Sequence, residues 1–270
     1  MMDSGADMID VGKAGKGLRK SVLLFMTCTL VVLLGVSGLA GRLSGWRVAL
    51  DLFVYTAPLV ILFSIFAYSR PSLFQRPSGQ VVSKFELSNV LTTLRIFLVP
   101  PMLVLLSHGM NFWAFAIYAV ILLTDVGDGH AARKLGQETR FGRMLDPFAD
   151  IASTMAIFSW LWLKGAVPGW LYFLLVLRYS ELFFGILYLS AVRRLPELQA
   201  TMAGKTAGVV QGLGILTLVL HRIKPGIIYN NVVEMVIFPI LALAFISTIV
   251  SQTVIGVRAA GSDRMETGGK

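Results

Sequence analysis

The sequence predicts an all-α fold, a polytopic bundle of membrane-spanning helices, and three observations lead there. Of 270 residues, 56% are hydrophobic and only 14% charged, against about 25% charged in soluble globular domains. The apolar residues gather in runs near the ~20 residues a helix needs to cross the hydrocarbon core: roughly 21 to 40, 48 to 68, 88 to 107, 111 to 127, 145 to 163, 169 to 191, 206 to 220 and 232 to 256. Lys and Arg, finally, follow the positive-inside rule. With the N terminus in the cytoplasm, all 24 fall on that side except Arg42, Arg47, Lys164, Arg222 and Lys224, with Arg95 and Arg178 left in or at the ends of spans. Both termini are therefore expected to be cytoplasmic.

The net charge of +9 raises nucleic acid as a partner, but no compact basic cluster with interleaved aromatics accompanies it, so that class is set aside. Cys28 stands alone and cannot close an intrachain disulfide. The first apolar run exceeds the 7 to 15 apolar residues of a signal peptide and reads as a retained span.

Taken in order, residues 1 to 20 mix Gly, Asp and Lys without apolar periodicity and are expected to form a mobile cytoplasmic tail facing anionic headgroups. Residues 21 to 68 form a two-span hairpin turning at Gly41 to Arg47, with Asp51 expected to pair with Arg47 or reach the interface. Pro71, Pro77 and Gly79 mark 69 to 85 as a linker. The third span is expected to be capped by Ser88 or Asn89. Span four ends in acidic residues, a cytoplasmic turn covers Lys134 to Phe141, and Asp146-Pro147 suits the entrance of span five. Trp160, Trp162, Trp170 and Tyr172 read as an outer interfacial belt. Span six carries Arg178 and Glu181 at i, i+3, placed to pair with each other or to serve function. Gly208 to Gly214 in span seven allow close helix packing, and Pro239 is expected to bend span eight. Residues 259 to 270 form a second cytoplasmic tail.

The residues that carry chemistry lie between Asp125 and Asp150. Asp125 and Asp128 are three apart and Asp146 and Asp150 four apart, so each pair shares a helix face. Carboxylates at the edge of hydrocarbon need cations or donors as partners. Four of them form a hard oxygen cage suited to Mg²⁺, Mn²⁺ or Ca²⁺ rather than zinc. Gly129 and Ala132 keep the adjoining surface low, and Arg133 offers a fork for phosphate.

The complete frame, D-x2-D-G-x2-A-R-x8-G-x3-D-x3-D from Asp125 to Asp150, resembles the signature of the CDP-alcohol phosphatidyltransferase family. Asn89, Thr92 and Arg95 are similar to that family's opening N-x2-T-x2-R. The resemblance covers about residues 86 to 258 and implies a homodimeric six-span core, here preceded by the extra hairpin, with its active site at the cytoplasmic membrane surface. It implies transfer of a phosphatidyl group from CDP-diacylglycerol to an alcohol with release of CMP. Asp125, Asp128, Asp146 and Asp150 would hold two Mg²⁺ or Mn²⁺ ions, and Asp150 would be the general base. Gly129, Ala132, Arg133, Gly142, Asn89, Thr92 and Arg95 would frame the donor site. Arg178, Arg193, Arg194 and Lys205 supply charge for the acceptor, which Gly204-Lys205-Thr206 followed by Gln211 points toward glycerol 3-phosphate. Inositol phosphate, serine or phosphatidylglycerol are the alternative acceptors. A divalent-cation transporter is the competing class, since it too uses intramembrane carboxylates. With the frame beginning near Glu86, a chain starting at Val81 is expected to keep CMP release.

Overall fold

The computed structural model describes residues 4–76, 82–135, 139–191, 202–224, 226 and 228–261, and gives no side-chain description for 4–14, 126–135, 140, 143, 144, 186–191, 202–205 and 258–261. Among the described residues the elements are all helical: α1 (Ser4–Ser44), α2 (Trp46–Ser69), a 3-10 turn (Pro71–Leu73), α3 (Leu87–Ser107), α4 (Asn111–Leu135), α5 (Arg140–Leu163), α6 (Gly169–Ala191), α7 (Met202–Ile223), α8 (Asn230–Val232), a π-helical turn (Val233–Ile237) and α9 (Phe238–Gly261). Five stretches among them are long and apolar enough to cross a membrane: Gly15–Ser44, Trp46–Ser69, Leu87–Ser107, Thr206–Ile223 and Asn230–Val257. The protein is a multi-pass integral membrane helix bundle. It divides into two compact units, residues 1–156 and 157–270.

In the first unit α1 turns into α2 at Gly45, whose φ of 103° is open to glycine at little cost. Pro58 lies within α2 and Pro100 and Pro101 within α3. The stretch expected to be a tail is helical from Ser4, and Leu18 within it is fully buried. Apolar Leu18 and Val22 fall one turn apart, so the helix continues because their face has a core to enter. That core comes from the expected linker. Phe74, Val82 and Phe85 are buried with Leu18, Val22, Ala67 and Phe141. The Val82 N–H bonds the Phe74 carbonyl at 3.0 Å, and the Phe85 N–H donates to Ser21 Oγ at 2.8 Å. A Cβ at Gly17 would lie 2.7 Å from the Ser83 carbonyl oxygen, so only glycine allows this approach.

Two further expectations are corrected here. Asp51 Oδ2 is 2.7 Å from His108 Nε2 at the end of α3, not with Arg47, because His108 follows the last turn of the neighbouring helix. Helix α3 starts at Leu87 with Glu86 in the N-cap position and no side-chain cap. Ser88 and Asn89 therefore lie inside the first turn, and Asn89 is free to reach another segment.

In the second unit α7 and α9 approach at Gly214, where a Cβ would stand 2.6 Å from Leu241 Cδ2. Gly208 has no such neighbour. Pro239 has no N–H, and the π-helical turn Val233–Ile237 ends two residues before it, so the backbone accommodates the proline by widening one turn. Trp160 is buried rather than interfacial. Trp162 stacks on Tyr172 at 4.6 Å and 4°, and the Tyr172 hydroxyl lies 3.1 Å from that of Ser159. Glu181 accepts from Thr253 instead of pairing with Arg178. Arg178 is buried and lies against the rings of Tyr179 and Phe245, at 5.1 and 6.0 Å.

Candidate active site

Helix α3 presents Asn89, Thr92 and Arg95 at intervals of three, so one buried face carries all three. Arg95 is a guanidinium only 2% exposed, and such a charge persists inside a protein only when paired and hydrogen-bonded. Its partners come from two other helices. Nη1 donates to Asp125 of α4, and Nη2 lies 3.1 Å from Asp146 Oδ1 of α5. The Thr92 hydroxyl donates to the same Asp146 oxygen at 2.6 Å. The fork geometry of arginine is what joins two acceptors at once.

The carboxylates are placed differently from the cation. Their side chains are 52% and 47% exposed, so Arg95 and Thr92 hold them from the interior while about half of each stays open. Held acidic oxygens from separate helices can receive a cation or a donor group without first being ordered.

A second network fixes the start of α5. The Thr139 hydroxyl donates to Asn89 Oδ1 at 2.7 Å and accepts the Gly142 N–H at 3.0 Å. Thr139 is thus the N-cap of α5, bonding the third helical residue as N-caps do. Gly142 is buried, and a Cβ there would be 2.9 Å from Asn89 Oδ1 and 3.3 Å from Thr139 Oγ1. Asn89 and Gly142 accordingly meet each other and Thr139 at the start of α5. Sequence reasoning missed Thr139; its signal was a threonine three residues before Gly142, hidden because the apolar run of span five begins only at 145. For the same reason Pro147 lies inside α5 rather than at its entrance, where it withholds one intrahelical N–H.

Asp150 is partly buried, with Thr154 Oγ1 3.5 Å from its Oδ1. The backbones of Asp128, Gly129, Ala132 and Arg133 continue α4, but their side chains lie outside the described residues. So does the side chain of Lys205, and Arg193 and Arg194 lie outside them entirely. Among the described residues no three His, Cys, Asp or Glu side chains stand close enough to hold an ion. Asp125 and Asp146, converging half-open on one guanidinium, are nevertheless the hard oxygen donors that a divalent cation takes.

A family model for CDP-alcohol phosphatidyltransferase matches residues 85–252, with the aspartates and Arg95 inside the match. The chain belongs to the CDP-alcohol phosphatidyltransferase family. It is 33% identical over 167 residues to a protein named as a probable phosphatidylglycerophosphate synthase from Mycobacterium tuberculosis, covering 58% of this chain and 78% of that one. A Mycobacterium bovis protein with the provisional name cardiolipin synthase is 34% identical over 138 residues, 51% of this chain and 66% of its own. The CDP-diacylglycerol–glycerol-3-phosphate 3-phosphatidyltransferase of Aquifex aeolicus is 28% identical over 163 residues, 58% and 90% respectively. No solved structure matches. The protein is thus a transferase of phospholipid synthesis, and its family is in general dependent on divalent metal.

Proposed function

We propose that this CDP-alcohol phosphatidyltransferase moves the phosphatidyl group of CDP-diacylglycerol onto glycerol 3-phosphate at the cytoplasmic membrane surface, releasing CMP. The acceptor hydroxyl attacks the phosphorus that carries diacylglycerol. Its proton passes to Asp150, and the bond from that phosphorus to the bridging oxygen breaks, so that CMP leaves with the electron pair. Asp125, Asp128, Asp146 and Asp150 would hold one or two Mg²⁺ or Mn²⁺, which would supply positive charge to neutralise the donor's pyrophosphate and stabilise the departing CMP. Arg133 grips the donor phosphates, while Gly129 and Ala132 leave room for cytidine. Arg95 and Thr92 keep Asp125 and Asp146 convergent. Arg193, Arg194 and Lys205 receive the acceptor's phosphate. So does Arg178, whose buried Nε and Nη1 have no bonded partner among the described residues. The working unit is a homodimer.

The observation that carries this reading is the Arg95 bridge between Asp125 and Asp146 inside the matched frame. The glycerol 3-phosphate assignment is supported by what the relatives are named for. The provisional cardiolipin synthase keeps phosphatidylglycerol as the second reading. Purified protein with CDP-diacylglycerol and each acceptor separately decides between them. CMP release that requires glycerol 3-phosphate supports the proposal, release that requires phosphatidylglycerol, serine or inositol phosphate replaces the acceptor, and cation flux in proteoliposomes without CMP release overturns the enzyme reading.

A further inference from the structure

We infer that the N-terminal hairpin is a positioning element of the active centre, acting through an aromatic box around Phe141 that sets where the second half of the aspartate frame begins. The inference rests on the catalytic reading above. Phe141 is 2% exposed and directly precedes Gly142. Its ring lies 4.4 Å from Phe74, 5.8 Å from Phe63 and 6.3 Å from Phe66, all from α2 or the turn after it. Aromatic pairs at such separations hold preferred relative orientations, which an aliphatic contact does not.

The same hairpin reaches the other wall of the aspartate pair. Phe63 meets Phe97 edge-on at 5.4 Å, and Phe25 of α1 lies 6.1 Å from it. Phe97 is two residues beyond Arg95 on α3. One set of hairpin rings therefore touches both the helix that carries Arg95 and the first turn of the helix that carries Asp146 and Asp150. Leu145, next to Asp146, packs on the same cluster. From Phe141 to Asp146 is five residues of continuous helix, about 7.5 Å at 1.5 Å per residue. A helix over that distance moves as one piece, so a shift of Phe141 is passed to Asp146 and Asp150.

The test compares two cavities in the hairpin of the full-length protein. Phe74→Ala opens the box beside Phe141. Leu52→Ala opens the separate cluster of Val48, Leu52 and Val104, which does not include Phe141. If the hairpin positions the site, Phe74→Ala lowers kcat for CMP release by about tenfold or more, as a misplacement of about 1 Å costs up to roughly a hundredfold. The acceptor KM stays within about threefold, and amide hydrogen exchange in residues 140–146 rises. Leu52→Ala lowers the unfolding temperature yet leaves kcat and exchange at 140–146 as in the natural protein. Phe74→Leu, which keeps an apolar side chain and much of the volume but loses the flat ring, serves if the alanine variant does not insert; it falls between the two, and Phe141→Leu behaves likewise. Unchanged kcat and exchange in the Phe74 variants overturn the inference, as do equal effects from Leu52→Ala. A natural protein that releases no CMP defeats the function instead, and the exchange comparison still decides the hairpin's role.

Discussion

A single guanidinium joins the two halves of the aspartate frame, and Arg95 is the residue whose chemistry is hardest to replace. Lysine keeps the charge but not the rigid fork, so it cannot reproduce the two divergent N–H donors that reach Asp125 and Asp146 from one buried position. Losing one charge-assisted hydrogen bond costs about 1.5 to 3 kcal/mol, or roughly 10- to 150-fold. Arg95→Lys is therefore expected to lower kcat by that factor with little change in acceptor KM, read from initial rates of CMP release; natural turnover in this variant would show that the bridge is dispensable. Gly142→Ala forces a methyl to 2.9 Å from Asn89 Oδ1. Overpacking of this kind costs about 1 to 3 kcal/mol, to be measured as a lower unfolding temperature, and Asn89→Ala in the same chain should restore part of it by removing the clashing oxygen. The spacing of the aspartates is legible in the sequence, and of the four the structure brings Asp125 and Asp146 together on Arg95. Arg95 was visible as a charge in a span, but its partners depend on which face of α3 meets α4 and α5, and no local pattern carries that.

At the scale of elements, the helices follow the apolar runs closely, and the departures have one cause. Hydropathy marks where a helix meets lipid, not where its hydrogen bonds stop, so α1, α4 and α5 extend past their apolar runs, to Ser4, Leu135 and Arg140. The segment 69 to 85, expected to be a linker, carries core residues as well. Pro71 does open a 3-10 turn in place of continued α-helix, yet Phe74, Val82 and Phe85 after it are core residues. The expectation that a chain starting at Val81 keeps its activity changes accordingly. Such a chain lacks Leu18, Val22, Phe25, Phe63 and Phe74, and each deleted large core side chain is worth about 2 to 5 kcal/mol. It is expected to insert but to release CMP at a small fraction of the natural rate, and full activity would show that the hairpin only decorates the core. Asp51 and His108 tie α2 to the end of α3 at 2.7 Å. Because the pair is partly exposed, Asp51→Asn should shift stability by no more than about 1 kcal/mol and leave CMP release unchanged in the same assay.

For the whole molecule, the proposed function places donor and acceptor chemistry on different segments. Arg133 lies within the aspartate frame, and Arg193, Arg194 and Lys205 follow α6 in the chain. Lys205→Ala or Arg194→Ala should raise the acceptor KM by roughly 10- to 150-fold if one charged phosphate contact is lost, while Arg133→Ala should raise the donor KM instead; separate titration of the two substrates reads the difference. The proposed function has the carboxylates gathered on Arg95 carry metal-dependent phosphatidyl transfer. Its most direct test is CMP release by the purified natural protein and by Asp146→Asn, with CDP-diacylglycerol and glycerol 3-phosphate, before and after chelation of divalent ions. Release from the natural protein is expected to stop on chelation and return with Mg²⁺ or Mn²⁺, and properly inserted Asp146→Asn is expected to lose several orders of magnitude. Chelator-resistant release, or an Asp146→Asn variant that turns over like the natural protein, would contradict it.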